Sequence, residues 1–135
     1  MAIYSSAGHN EKKVDPNTGK IITTEDPGAS GCGYNENDLT LEMRNLTNNY
    51  IRSKYPNVKL IEDRDDESLR EYLKRIEPGT ASVVHEYHFN AFNTKASGVE
   101  VVVPDNPTKD ERNAAQEICD AYSKIMGIPN RGVKT

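Results

Sequence analysis

Short β-prone segments alternate with longer helical ones along this chain, and that alternation limits the available folds more than any single motif. AIYSSAGH, at residues 2–9, is an apolar run that empties into small residues, as a buried strand does before a loop at Ala7, Gly8 and His9. Leu39, Met43, Leu46, Tyr50 and Ile51 then recur at helical intervals. They predict a helix from about Asn37 to Ser53, with Asp38 as its cap, YPN as its end, and the stripe as its core face. VKLIEDR reads as a strand, and DESLREYLKRI as a second helix with Leu69, Leu73 and Ile76 on one face. ASVVHEYHFNAF and SGVEVVVP read as two further strands, the latter continuous enough in valine to be buried on both faces. TKDERNAAQEICDAYSKIMG carries a third helix, with Thr108 as cap, Glu111 three residues on, and Gly127 as its stop. The order β, loop, α, β, α, β, β, α implies an α/β fold: a mixed, mostly parallel sheet flanked by helices on both faces.

A chain of 135 residues fits one domain, 1–135, with a real core, so its motifs should belong to one site. A net charge of −4 and a pI near 5.4 exclude the basic excess that a nucleic-acid backbone or an anionic membrane surface would need. No apolar run approaches the roughly 20 residues of a membrane span, and MAIYSSAGHN lacks the marks of a secretory signal. The expectation is a soluble protein without its own export address, its two cysteines, Cys32 and Cys119, reduced in a cytosolic setting.

Two of the three histidines stand in VVHEYHFNAF, with Glu86 between them. Alternation along a strand turns His85 and Tyr87 to one face and Val84, Glu86 and His88 to the other, so the two histidines do not readily share an ion. Their spacing also differs from the helical HExxH zinc motif. The better candidates lie apart in sequence. His9 leaves the first strand, His88 lies near the end of a later one, and Glu36 opens the first helix. Strand carboxyl ends and helix starts converge on one crevice in an open α/β sheet. Two imidazoles and a carboxylate with an open fourth position form the ligand set of a hydrolytic zinc site, which activates water and polarises a carbonyl.

AGHN, then DPGASGCGYNENDL, then YHFNAF and SGVEVVV, in that order with helices between, resemble the zinc-dependent N-acetylmuramoyl-L-alanine amidase family of autolysins and phage endolysins. The resemblance runs from Ile3 to about Val133. It implies that His9, Glu36 and His88 bind Zn2+, with Asn90 and Ala91 completing the third element. It also implies a mixed sheet flanked by helices, and a substrate in peptidoglycan: the amide joining N-acetylmuramic acid to L-alanine. Two features depart from the family pattern. Residues 11–25, EKKVDPNTGKIITTE, are an insertion whose DPNTG turn suits a hairpin at the rim of the site, where it would shape substrate choice. The family's catalytic glutamate sits in a later segment resembling V-L-V-E-x-G-F, whereas this chain ends at NRGVKT. The resemblance therefore implies either a fragment of a longer enzyme or a domain that has lost ordinary catalysis. Without that tail, the domain is expected to expose a sheet edge or apolar surface.

Glu86 is the one glutamate that alternation places on the face of His88, about 6.5 Å along the strand. It is a candidate to orient a ligand, to contact the metal-bound water, or to stand in for the missing base. His85 is expected to be structural or a surface residue, Cys32 a small loop residue in preference to a thiol ligand for zinc, and EDRDDESLRE a solvated face and helix start. Glu100, in an apolar strand, is paired with a cation, turned toward the site, or solvated at an edge. The expected activity is zinc-dependent peptidoglycan amide hydrolysis, in a phage-encoded protein acting on the cell wall or a cytoplasmic protein awaiting release. The alternatives are a non-catalytic zinc-holding or wall-binding module and a zinc peptidase acting on the stem peptide.

Overall fold

The computed structural model describes residues 2–10, 12–24, 26–65, 67–90 and 95–135, with the backbone alone for 12–14 and 21–24. Glu11 and Glu25 of the insertion, Asp66, and Ala91 and Phe92 after the last histidine lie outside the described residues. The chain divides into two compact units, Met1–Ala91 and Phe92–Thr135.

In the first unit, β1 (Ala2–Ala7) is the middle strand of a parallel sheet, between β6 (Lys59–Glu62) and β7 (Ala81–Tyr87). Ser5 pairs with Glu62 on one side and with His85 on the other, which fixes the register. A parallel sheet sends all its strand ends to one edge. That edge therefore carries the residues after Ala7, Glu62 and Tyr87. Before the first helix, β2 (Lys12–Val14) and β3 (Ile21–Thr24) form the expected hairpin, and β4 (Ser30–Gly31) and β5 (Tyr34–Asn35) form a smaller one.

Helix α1 (Glu36–Lys54) covers one face of the sheet, where Asn48 meets Glu62. Helix α2 (Leu69–Lys74) covers the other face, where Tyr72 meets Tyr4 edge-on at 6.4 Å. Ala2, Tyr4 and Tyr72 form a core cluster, with Ile61, Ile76 and Ala81 packed against it. An aromatic pair of this kind contributes about 1 kcal/mol beyond its buried area.

The predicted buried faces of both helices are corrected here. Helix α1 buries Thr40, Arg44 and Asn48, at four-residue spacing, while of the apolar stripe Leu39, Met43 and Ile51 are half-buried and Leu46 and Tyr50 are 63% and 62% exposed. The cause is the surface it meets. The ends of β1 and β6 present Gly8, Glu62 and Asp63, which need donors, and the polar face of α1 supplies them. Helix α2 likewise buries Tyr72, while Leu69 and Leu73 stay exposed. Asp38 is not the cap of α1. The helix begins at Glu36 after Asn35, and the loop carbonyls of Ala29 and Pro27 accept its first N–H groups. The charged run EDRDDESLRE is not wholly solvated either, because Asp63 and Glu67 are buried against Arg44 and Arg75.

In the second unit, β8 (Val99–Val102) runs parallel to β9 (Asn130–Lys134), with α3 (Lys109–Met126) between them in sequence. Thr108 and Glu111 form a reciprocal capping box, and Gly127 closes the helix in the left-handed conformation at φ 64°. Strand β9 was not foreseen, since NRGVK carries a single apolar residue, Val133. Burial of β8 on both faces is also corrected: Val102 is 69% exposed, and β8 pairs with β9 alone among the described residues of its unit.

Candidate metal centre

Three segments of the first unit meet at the carboxyl edge of its sheet. His9 follows β1 in a left-handed conformation, φ 60°. Such a conformation costs on the order of 1–2 kcal/mol for a residue with a side chain. Bonds on both sides of His9 hold it there. Gly8 N–H donates to the Tyr87 carbonyl at 2.9 Å, and the Gly8 carbonyl accepts the Thr40 hydroxyl at 2.6 Å. The Asp63 carboxylate accepts Ala7 N–H at 3.1 Å and the Asn10 side-chain amide at 2.8 Å. Residue 8 has to be glycine, since a Cβ there would lie 2.5 Å from both the Tyr87 carbonyl oxygen and His88 Cε1.

Glu36 is the first residue of α1, and its carboxylate is buried between two loops. Oε1 accepts Phe89 N–H at 2.8 Å and faces His88 Nδ1 at 3.0 Å. Oε2 accepts Ala29 N–H at 2.9 Å and stands 3.5 Å from His9 Nε2. Burial alone would raise this carboxyl's pKa, but the two N–H groups and the imidazoles outweigh it and hold the group below its ordinary value. The positive end of α1 acts in the same direction. Gly28 is required for this approach: its φ is 68°, and a Cβ there would lie 2.6 Å from Glu36 Oε2.

His88 follows β7 and completes the group. Its Nε2 contacts Glu86 Oε1 at 2.6 Å, while Glu86 Oε2 accepts the Ser6 hydroxyl at 2.9 Å. The Glu86 contact, the largest influence, raises the pKa of His88 above the ordinary histidine value; burial opposes it, and the Glu36 contact adds to it. On the opposite side, His9 Nδ1 contacts Asp26 Oδ2 at 2.8 Å, and Asp26 Oδ1 accepts Gly28 N–H at 3.1 Å. The two imidazoles lie edge to face with centroids 5.1 Å apart.

One donor atom from each of His9, Glu36 and His88 lies within 4.8 Å of the other two. A tetrahedral ion with bonds of about 2.1 Å spaces its ligands about 3.4 Å apart, so small side-chain shifts would close this group around one. The chemistry of the pair agrees. An imidazole nitrogen and a carboxylate oxygen 3.0 Å apart share a hydrogen bond, and a metal can take the place of its proton. The donor set of two nitrogens and one oxygen suits zinc.

The other predicted residues lie elsewhere. His85 is on the opposite face of β7, its Nε2 2.9 Å from the Tyr87 hydroxyl and its pKa lowered by burial. Cys32 is an exposed turn residue between β4 and β5, at φ 52°. Asn90 is exposed, and Glu100 pairs with Arg131 at 3.1 Å in the second unit. Asp26 was not foreseen as a partner of His9. Its signal was present in DPG, where an aspartate caps its own turn while its second oxygen stays free to reach the histidine.

A family model described as N-acetylmuramoyl-L-alanine amidase matches residues 6–135. The fold is similar to the crystal structure of N-acetylmuramoyl-L-alanine amidase from Clostridium difficile 630, with a TM-score of 0.77 and 20% identity. It is also similar to the catalytic domain of CD27L endolysin targeting Clostridia difficile, with a TM-score of 0.66 and 21% identity. Each comparison covers 99% of this chain and 69% of the other. No curated protein sequence gives a significant match.

Proposed function

Because this chain belongs to the N-acetylmuramoyl-L-alanine amidase family, we propose that it hydrolyses the amide between N-acetylmuramic acid and L-alanine in peptidoglycan, with zinc held by His9, Glu36 and His88. The observation that carries this reading is the convergence of those three donors, from separate segments, at the carboxyl edge of the sheet. When bound, zinc supplies a Lewis acid that acidifies water and polarises a carbonyl. Glu36 contributes the one formal negative charge of the ligand set, and the N–H groups of Ala29 and Phe89 keep it ionised and aimed. His88 must release the proton that it shares with Glu36 before it can serve as a ligand. Hydrolysis adds water across the amide, leaving a lactyl carboxylate and a free L-alanine amine. The setting is the bacterial cell wall, reached by a phage-encoded or released protein; among the described residues no helix is long and apolar enough to cross a membrane.

A second reading, a module that holds zinc or binds the wall without cleaving it, draws on one observation. Asp26, Glu36 and Glu86 each already contact an imidazole, so none is free to carry a proton as it stands. Purified peptidoglycan separates the readings. New L-alanine amino termini together with lactyl ends support the amidase, binding without release supports the module, and fragments cut within the stem peptide would indicate a peptidase. A dialysed protein without zinc would overturn the metal assignment.

A further inference from the structure

We propose that Glu86 is a positioning residue which makes His88 an Nδ1 ligand, acting from outside the ligand sphere and not as a proton carrier; this rests on the zinc reading above. A neutral imidazole has one N–H and one lone pair. In the neutral ring that a metal requires, the Glu86 carboxylate, which only accepts, keeps the proton on Nε2 at 2.6 Å, and Nδ1, facing Glu36 at 3.0 Å, is the nitrogen whose proton an ion would replace. His9 has the mirror arrangement. Asp26 stands on Nδ1, and Nε2 faces Glu36. Each ring therefore has an outer carboxylate on one nitrogen and turns the other toward the same buried carboxylate.

The position of Glu86 is set by the sheet. Register pairs Ser6 with Glu86 across β1 and β7, and the Ser6 hydroxyl donates to the second carboxylate oxygen. Both oxygens are thus held, one by the strand next door and one by the ring it orients. The carboxylate also contacts the nitrogen on the far side of the ring from Nδ1, which separates it from the place where a substrate carbonyl would react. A neighbouring carboxylate of this kind fixes the tautomer and ring orientation of a metal-bound histidine, and its loss typically weakens metal binding 10–100-fold.

The test compares the parent chain with E86Q, E86A and S6A. It reads zinc affinity by chelator competition and the His88 tautomer by long-range proton–nitrogen NMR, with a thermal melt of each metal-free variant as a folding control. The expected result is a loss of zinc affinity of roughly 10–100-fold in E86A, a smaller loss in S6A, and near-complete retention in E86Q, whose amide oxygen still accepts from Nε2–H. In the zinc-loaded parent and E86Q, the His88 proton should sit on Nε2. Equal zinc affinity in a folded E86A, or coordination of the parent through His88 Nε2, would overturn the proposal. A parent chain that binds no zinc at all would overturn the metal reading and this inference with it.

Discussion

Arg44 donates to both the carboxylate and the main-chain carbonyl of Asp63, at 2.6 and 2.9 Å, and the same carboxylate accepts Ala7 N–H and the Asn10 amide. One buried ion pair thus ties α1 to the end of β6 and to the loop that presents His9. Removing one partner of a buried pair leaves an uncompensated charge and costs roughly 3–5 kcal/mol. Arg44→Met should therefore lower stability by about that amount in a denaturant titration, although its side chain touches none of the three proposed ligands. Stability unchanged within about 0.5 kcal/mol would show that Asp63 finds other donors.

Gly28 and Gly8 should be intolerant of even a methyl group. At Gly28 the added carbon meets the Glu36 carboxylate on a left-handed backbone, and at Gly8 it meets the Tyr87 carbonyl. Gly28→Ala is expected to reduce zinc affinity about tenfold or more by pushing Glu36 off its aim. Gly8→Ala is expected to cost about 1–3 kcal/mol of stability as well. Calorimetric titration and thermal melts would check both.

The metal-free protein should have a stability window set by its site. His88 has a raised pKa, so its contribution is complete below the ordinary value of 6.5 and fades as pH rises through the higher folded value. Glu36 and Glu86 have lowered values, so theirs are complete above 4.5 and fade as pH falls through the lower folded values. The cluster should contribute most between about pH 4.5 and 6.5. Zinc needs the His88 proton removed, so apparent zinc affinity should rise with pH across and above that range. Chemical denaturation and chelator competition at several pH values would test the two trends, and a pH-independent affinity would contradict the shared-proton account.

The outer stripe of α1 offers a contrast. Leu46→Lys and Tyr50→Lys should each change stability by no more than about 0.5 kcal/mol, since both residues are exposed. Thr40→Val removes the donor to the Gly8 carbonyl and should cost about 1–3 kcal/mol. Thermal melts of the three variants would settle which face of α1 carries the packing.

The strands were legible in the sequence wherever apolar or β-branched runs were strong, and α3 was legible through its capping box and its glycine stop. The face that α1 buries was not. Helical periodicity reports which residues are apolar, and here the sheet edge presented carboxylates and carbonyls that selected Thr40, Arg44 and Asn48 instead. Strand β9 was missed for a related reason, since its pairing with β8 is a main-chain matter that leaves little trace in NRGVK. At the candidate site, the convergence of His9, Glu36 and His88 could be expected from motif order and from where strand ends and helix starts fall. Asp26 and the Arg44–Asp63 pair could not, because their roles depend on hydrogen-bond geometry that exists only after the chain has closed.

That closure has a thermodynamic consequence. The three donors stand at positions 9, 36 and 88, with Glu36 and His88 52 positions apart. An unfolded chain would have to close two long loops at once to present them, so it holds an ion poorly. An ion bound by the folded form and scarcely by the unfolded one draws the equilibrium toward folding, by about 2.7 kcal/mol at a hundredfold excess over its dissociation constant. Metal supply would then govern how long the N-terminal unit survives a protease as well as whether it turns over substrate.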